Sequence, residues 1–170
     1  MITTPTTVPA GKAFFSTPEF TPPLTNATAN GPAARKPRRE EAQVEIRSTS
    51  DIVSARRHGR ALALALGFDG PNVTVIATAI SEVARNIVDH AEAGVVKMMT
   101  IHNGERTGLH VVARDEGPGI FDASRVADYG RTAQGEAGLG LPGVRALMDE
   151  FEIESTVGRG TTVRMTKWLN

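Results

Sequence analysis

Two apolar runs joined by a turn-rich linker limit the possible folds of this chain more than any other stretch. Residues 95–102 read VVKMMTIH, residues 109–114 read LHVVAR, and the intervening NGERTG contains two glycines. Such a pair of runs predicts two strands joined as a hairpin. Two helical patterns lie directly before this hairpin, so strands and helices do not alternate as they do in a Rossmann fold.

The segment before the hairpin begins with strand-like alternation in AQVEIRS and continues as two helices. The capping residues STSD precede a helix over 52–66 that Gly67 closes. A second helix is predicted over 73–91, with Gly94 as its stop. Its apolar positions follow the helical period: Ile76, Ile80, Val83, Ile87 and Val88.

The segment after the hairpin begins with the loop DEGPGI, residues 115–120. DASRVADY, residues 122–129, predicts a short helix, and the glycine-rich residues 130–140 predict a mobile loop. LPGVRALMDEF, residues 141–151, predicts a third main helix with Pro142 near its first turn. The closing FEIESTVGRGTTVRMTKW predicts a strand, a Gly-Arg-Gly turn and another strand.

The resulting order, β-α-α-β-β-loop-α-β-β, predicts an α+β fold. Strands in adjacent pairs with helices grouped between them favour a two-layer α/β sandwich. We expect one mixed, mostly antiparallel sheet that is covered by helices on one face.

Composition predicts one ordinary domain preceded by a tail. Residues 1–40 are rich in Thr, Pro, Ala and Asn and are predicted to be disordered, whereas residues 41–170 form the folded domain. The basic cluster ARKPRR near the end of the tail is better explained as a solvated linker than as a contact for a partner or a phosphate.

Charge and residue usage exclude several classes of protein. The formal net charge is zero, so no overall field attracts nucleic acid or an anionic membrane. The chain has no cysteine, which removes disulfides and thiol chemistry. The apolar run at 61–68 is too short to span a bilayer, and the N-terminus lacks the pattern of a secretory signal. We therefore expect a soluble, cytoplasmic protein.

Deletion of the tail provides a direct test of this domain boundary. A chain lacking residues 1–39 is expected to keep its melting temperature and its ligand affinity, because the tail has few large apolar residues to contribute to a core. Thermal unfolding of the two chains is the measurement. A large fall in melting temperature after truncation would show that the tail packs against the domain.

Three clusters of residues carry possible chemistry, and each also has a purely structural explanation. EVARN places Glu82 and Asn86 one helical turn apart on the same face of a helix. This pair could border a pocket, or it could belong to a solvated polar face. DEGPGI offers a carboxylate and two glycines that would let a ligand come close to the backbone, or it is only a turn. GLGLPG, residues 138–143, runs into a helix N-terminus, which suits an anion such as phosphate, or is only a hinge. Phosphate-loop, nucleophile-elbow and zinc-protease motifs do not occur.

Taken in this order, the three clusters resemble the N, G1 and G2 boxes of the Bergerat ATP-binding fold, which gyrase, MutL and histidine kinases share. GRGTTV resembles the last box of that fold. AISEVARNI, DEGPGI, GLGLPGVRALMDEFEIES, KWL and the helix DIVSARRHGRALALALGF further resemble the RsbT switch kinases of bacterial stress-response modules. The resemblance covers roughly residues 43–169.

The resemblance implies a role for several residues at the base of a bound nucleotide. Asp115 would accept a hydrogen bond from the adenine amino group, and Gly117 and Gly119 would let the backbone pass close to the base. Ile120 and Thr161 would also line the nucleotide site.

The resemblance implies a second set of residues at the phosphates. Asn86 would ligate a Mg²⁺ ion that bridges them, while Gly138 and Gly140 form a lid and Leu141 lines the site. Glu82 would be the catalytic base that assists the attacking hydroxyl. His90 would border the phosphates or serve only as a polar residue at the helix end. The resemblance leaves open whether Arg131 in the lid meets the γ-phosphate or only water.

The implied function is that of an ATP- and Mg²⁺-dependent protein serine/threonine kinase. Its implied substrate is a STAS-domain protein, alone or within a stressosome-like complex, with a stress-pathway phosphatase as the alternate partner. The alternative is an anti-sigma-type regulator that binds ATP and a protein without phosphoryl transfer. A histidine kinase is disfavoured because nothing before Gln43 could form the helical hairpin that carries a phospho-accepting histidine. A gyrase-type ATPase is disfavoured because no following domain supplies a phosphate-binding lysine.

Overall fold

The computed structural model describes residues 41–121 and 139–169. The predicted tail, the predicted short helix over 122–129, Arg131 and Gly138 lie outside these residues. The described part of the chain contains no helix that is long and apolar enough to cross a membrane. Its elements in chain order are β1 Glu41–Ile46, α1 Thr49–Leu66, α2 Gly70–His90, β2 Gly94–Asn103, β3 Arg106–Asp115, α3 Gly140–Leu147, β4 Glu150–Thr156 and β5 Gly160–Trp168.

The five described strands form one sheet in the order β1-β2-β3-β5-β4. Every neighbouring pair among them is antiparallel, so the mixed character that the sequence predicted does not occur within this sheet. The predicted hairpin is confirmed: Asn103 lies opposite Arg106, and the turn begins with Gly104 at a φ of 61°. The predicted α+β class is confirmed.

The hydrophobic core lies between the helices and one face of the sheet. Alternate strand residues face the helices because successive side chains of a strand point to opposite faces. These inward residues are Ile46, Val96, Met98, Leu109, Val111, Ala113, Val163 and Met165. Buried residues of the three helices meet them in a single cluster, so the helices lie on one face, as predicted.

The first two helices begin at capping carboxylates. At the start of α1, the Asp51 carboxylate accepts hydrogen bonds from the backbone N–H and the hydroxyl of Ser48, at 2.9 and 2.8 Å. At the start of α2, the Asp69 carboxylate accepts one from the backbone N–H of Asn72 at 2.9 Å. The α1 helix ends at Gly67 with a φ of 93°, as predicted.

The predicted stop of α2 at Gly94 is wrong. The helix ends at His90, and Ala91 takes an extended conformation with a φ of −134°. Gly94 is instead the first residue of β2, where a Cβ atom would lie 2.5 Å from the carbonyl oxygen of Arg114 on β3 and 2.8 Å from Cγ2 of Ile87 on α2. Glycine is therefore required there for the close approach of the strand to β3 and α2.

The third helix is shorter than predicted because its last residues belong to a strand. The α3 helix ends at Leu147, and residues 150–156 form β4, in which exposed and half-buried positions alternate. The Asp149 carboxylate ties this junction to the end of β5. It accepts hydrogen bonds from Lys167 Nζ at 2.8 Å and from the Trp168 backbone N–H at 2.7 Å. These contacts with β5 favour β4 over continuation of the helix.

The Asp149 junction predicts a pH-dependent contribution to stability. Burial alone would raise the pKa of Asp149, but the hydrogen bonds from Lys167 and the Trp168 backbone outweigh it and hold the pKa below the ordinary 3.8. Because its pKa is lowered by folding, the ionised Asp149 carboxylate stabilises the fold at every pH above the ordinary pKa of 3.8. This stabilisation is lost as the pH falls through the lowered pKa of the folded state. Asp149→Asn is expected to cost about 1 kcal/mol at pH 7, since the side chain is partly exposed.

Thermal unfolding of both proteins between pH 7 and pH 3 is the measurement. The difference in stability between the wild type and Asp149→Asn should narrow toward pH 3. A difference that is the same at both ends of this range would contradict the role of the ionised carboxylate.

Candidate functional site

Residues from four elements meet on the helix-covered face of the sheet, at one end. Strand alternation places Asp115 in line with the inward Ala113, and Thr161 in line with the inward Val163. The loop after β3, the C-terminal half of α2 and the N-terminus of α3 contribute the other predicted site residues. The fold thus brings together boxes that are far apart in the sequence.

The Asp115 carboxylate is oriented by two backbone amides. Its Oδ1 atom accepts hydrogen bonds from the N–H of Gly117 at 2.9 Å and from the N–H of Thr161 at 3.2 Å. Among the described residues, no hydrogen bond reaches Oδ2. Because an ionised carboxylate only accepts hydrogen bonds, Oδ2 is suited to a donor on a ligand.

The loop from Asp115 to Ile120 packs closely against its neighbours. Gly119 has a φ of 71°, and a Cβ atom there would collide with the carbonyl oxygen of Thr156. A Cβ atom at Gly117 would lie 2.8 Å from Cβ of Ala91 at the end of α2. The glycines therefore serve the packing of the loop on the protein itself, and their closeness to a nucleotide base stays a prediction.

Gly160, which the sequence analysis did not select, packs directly against the backbone of Asp115. Its φ is 96°, and a Cβ atom would collide with the carbonyl oxygen of Asp115. Its recognisable sign is the GRG turn before β5, which the sequence analysis interpreted as a turn and as the start of the last box, with a site role for Thr161 but none for Gly160. Ser155 was missed as well, although a serine on the inward face of β4, in line with Phe151 and Ile153, is a detectable break in the apolar pattern.

Gly160→Ala is expected to reduce both stability and ligand affinity. Gly158→Ala is the matched control, because Gly158 has a similar φ of 75° but no atom within 4 Å of a Cβ position. The control should cost about 1–2 kcal/mol of stability through backbone strain alone. Gly160→Ala should cost more than about 2 kcal/mol and weaken nucleotide binding roughly tenfold, because the Asp115 backbone must move.

Thermal unfolding and nucleotide titration of the two variants are the measurements. Equal effects on affinity in both variants would show that Gly160 does not support Asp115.

The three predicted residues of α2 differ in burial along the helix. Glu82 is buried with 9% of its surface exposed, Asn86 is half-buried and His90 is exposed. The Glu82 Oε2 atom accepts a hydrogen bond from the backbone N–H of Gly140 at 3.2 Å. The carboxylate thereby occupies the N-terminus of α3, where the helix dipole favours a negative charge. This hydrogen bond thus connects the N box, which contains Glu82, directly to the G2 box, which contains Gly140.

His90 lies at the other end of the site from Glu82. A Cβ atom at Gly117 would lie 3.0 Å from the His90 carbonyl oxygen, so the end of α2 meets the loop that carries Asp115. Two turns of helix separate His90 from Glu82, which corresponds to about 12 Å along the axis. Its predicted role at the phosphates stays a prediction.

Two further predicted residues have clear structural surroundings. Leu141 is buried with 7% of its surface exposed and belongs to the hydrophobic core. Ile120 packs against this core, and its backbone N–H donates a hydrogen bond to Ser155 Oγ at 2.8 Å.

A groove of about 1180 Å³ extends over the outward face of the sheet, opposite the described helices, and reaches Asp115 and Gly117 at its edge. Charged residues of this outward face form much of its lining, among them Glu45, Lys97 and Arg114. Because the oriented Asp115 carboxylate lies on the inward face, the predicted nucleotide site belongs to that face rather than to this groove.

Comparison with known proteins identifies the family. Residues 32–167 match the family model of the histidine kinase-like ATPase domain. The serine/threonine-protein kinase RsbT of Bacillus subtilis strain 168 is 42% identical over 130 residues, which cover 76% of this chain and 98% of that protein. The chain therefore belongs to the histidine kinase-like ATPase family, in its branch of RsbT-like serine/threonine kinases, and the predicted resemblance is confirmed.

Two further proteins are similar over part of their length. The anti-sigma F factor of Thermoanaerobacter sp. strain X514 is 35% identical over 100 residues, which cover 55% of this chain and 68% of that protein. A crystal structure of the RsbU and RsbW domains of Rv1364c from Mycobacterium tuberculosis has a TM-score of 0.49 and 21% identity. The match covers 76% of this chain and 33% of that one.

Proposed function

We propose that this chain is a cytoplasmic protein serine/threonine kinase of a bacterial stress-response partner-switching module, and that it phosphorylates a STAS-domain partner with ATP. Membership in the RsbT-like branch supports the activity. The substrate class and the stress role come from the sequence resemblance described above.

The observation that carries this proposal is the orientation of Asp115. Its Oδ1 atom is held by two backbone amides, while Oδ2 has no partner among the described residues. The adenine amino group is a donor and suits this oxygen, whereas the O6 atom of guanine is an acceptor and would be repelled. For a base that presents its six-position to Asp115, this difference supports the selection of ATP over GTP.

The residues near Glu82 are compatible with a Mg²⁺ ion held mainly by nucleotide phosphates. The described residues contain no group of three or more His, Cys, Asp or Glu side chains that could hold a metal ion. Mg²⁺ does not need such a group, because it keeps several waters and is often bound through few protein oxygens plus substrate phosphates. Asn86 offers one neutral oxygen, one turn from Glu82. When bound, the ion would neutralise charge on the phosphates.

Glu82 is suited to receive the proton in the transfer step. The oxygen of a substrate serine or threonine attacks the γ-phosphorus of ATP, and the bond from that phosphorus to the bridging oxygen breaks. ADP leaves with the bonding electron pair, and the hydroxyl proton passes to the Glu82 carboxylate. The hydrogen bond from Gly140 N–H to Glu82 Oε2 fixes the direction of the carboxylate.

The proposal is tested by incubating the purified full chain with radiolabelled ATP, Mg²⁺ and candidate STAS-domain proteins. The expected result is labelled phosphoserine or phosphothreonine on one candidate. Capture of partners from native lysate widens the choice of candidates, including a stressosome-like complex and a phosphatase. If the chain binds ATP but transfers phosphate to none of the captured partners, the proposed kinase activity is wrong.

The second candidate function is an anti-sigma-type regulator that binds ATP and a protein without transferring phosphate. It is favoured by the similarity to proteins named anti-sigma F factor. In that case ATP should strengthen partner binding equally in the wild type and in Glu82→Gln, and no phosphorylated partner should form. The transfer assay therefore separates the two functions.

A further inference from the structure

The α3 helix is short, and charged side chains from two other elements hold its ends. At its N-terminus, the Glu82 carboxylate of α2 accepts a hydrogen bond from the Gly140 N–H at 3.2 Å. At its C-terminus, Nζ of Lys167 on β5 donates to the carbonyl oxygen of Leu147, the last helical residue, at 3.3 Å. A carboxylate at the first turn and an ammonium at the last turn both suit the helix dipole.

Lys167 occupies an inward position of β5, which is unusual for a charged residue. Strand alternation places it in line with Val163 and Met165, which belong to the hydrophobic core. The lysine side chain is only 15% exposed, and its Nζ also donates to Asp149 Oδ1 at 2.8 Å. The ammonium is therefore fixed by two acceptors, one at the end of α3 and one directly beyond it.

The position of α3 depends on its contacts with other elements, because an isolated helix of eight residues is not stable in water. Leu141 and Val144 are buried in the core and hold the helix on the sheet. Apolar burial has no preferred direction, so these contacts restrain sliding along the helix axis only weakly. The hydrogen bonds at the two ends are directional and restrain it.

The hydrogen bond at the N-terminus of α3 tolerates little displacement. Its N–O distance of 3.2 Å lies at the long end of the usual range, which is about 2.7–3.2 Å. The helix is about 12 Å long, and its internal hydrogen bonds make it move as one body. Release of the carbonyl at its C-terminus can therefore displace the Gly140 amide from Glu82.

We propose that Lys167 is a positioning residue for phosphoryl transfer that acts on Glu82 through α3. By holding the C-terminal carbonyl of the helix, Lys167 keeps the Gly140 amide within hydrogen-bond distance of Glu82 Oε2. The Glu82 carboxylate then keeps the direction in which it receives the substrate proton. This inference rests on the proposed role of Glu82 as the base.

The experiment measures single-turnover transfer by the full chain, with labelled ATP and a STAS-domain candidate that the wild type phosphorylates. Lys167→Met keeps a long unbranched side chain but removes the ammonium. It is expected to slow transfer about threefold to tenfold, less than the roughly hundredfold that a misplacement of about 1 Å can cost. ATP affinity should not change, because Lys167 lies at the opposite end of β5 from Thr161. Lys167→Arg keeps a charged donor and should restore most of the rate.

A double-mutant cycle tests whether Lys167 acts through Glu82. In the Glu82→Gln background, Lys167→Met should cause no further slowing, because the group that it positions has already lost its function. If Lys167→Met slows transfer by the same factor in both backgrounds, Lys167 acts by another route and the inference is wrong.

Arg164→Met is the matched control for a general loss of stability. It removes an ion pair from the same strand, in which Arg164 lies 2.9 Å from Glu154, on the outward face and away from α3. Melting temperatures should fall in both variants, but only Lys167→Met should slow transfer. Equal slowing in the two variants would show that Lys167 is only structural.

Amide hydrogen exchange at Gly140, measured by NMR without nucleotide, distinguishes failure of the inference from failure of the proposed function. Lys167→Met should accelerate this exchange at least about threefold, whereas Arg164→Met should not. If Lys167→Met leaves the exchange unchanged, the inference falls even if the chain is a kinase. If the exchange accelerates but the wild type phosphorylates no candidate, the proposed function falls and Lys167 has no role in transfer.

Discussion

Glu82→Gln is expected to slow phosphoryl transfer by about 10²–10⁴-fold, the usual contribution of a positioned base. Glutamine keeps the size of the side chain and an oxygen that can accept the hydrogen bond from the Gly140 N–H, so the contact between α2 and α3 should survive. What it loses is the ability to take the substrate proton. ATP affinity should stay near that of the wild type, because the carboxylate serves the acceptor hydroxyl rather than the nucleotide.

Single-turnover transfer with labelled ATP and a STAS-domain candidate that the wild type phosphorylates, run beside a binding titration, measures the two effects separately. Asp89→Asn is the matched control, since it removes an exposed carboxylate from the same helix. A partner complex that forms but does not turn over is the expected behaviour of Glu82→Gln. Equal transfer rates in Glu82→Gln and the wild type would remove Glu82 from the mechanism.

Asp115→Asn is expected to weaken ATP binding roughly tenfold to a hundredfold, since loss of a charged acceptor costs about 1.5–3 kcal/mol. The asparagine oxygen can still accept from the amides of Gly117 and Thr161. Its NH₂ group would then take the place of Oδ2 and face the adenine amino group, donor against donor. Calorimetric titration with ATP is the measurement.

Glu116→Gln provides the control for this substitution, because it alters the exposed neighbouring carboxylate. Asn86→Ala should also weaken binding, but only in the presence of Mg²⁺, which separates the metal-binding end from the base-binding end. Unchanged nucleotide affinity in both Asp115→Asn and Asn86→Ala would refute the site assignment.

The elements with strong local patterns were predictable from the sequence. The hairpin, α1 and most of α2 follow from apolar periodicity and from capping residues such as Asp69 and Gly67, which act within a few residues. The linked motifs around Glu82, Asn86 and Asp115 also sufficed to recognise the family, because their spacing in one chain is far more specific than any single motif.

The tertiary structure decided the features that depend on distant contacts. Gly94 begins a strand instead of ending a helix because it pairs with Ile46 of β1 and Asp115 of β3. Residues 150 and 151 leave the helical pattern because β5 offers a strand partner and Asp149 anchors the turn. Periodicity cannot show either effect, since the deciding atoms belong to other elements.

The orientation of the site residues likewise came only from the fold. The hydrogen bonds from Thr161 to Asp115 and from Gly140 to Glu82 join residues that are 46 and 58 positions apart. Local sequence determines which residue types reach the end of the sheet. The pairing of β3 with β5 brings the Thr161 amide to Asp115, and the packing of α3 against α2 brings the Gly140 amide to Glu82, so the fold determines which oxygen of each carboxylate an amide holds.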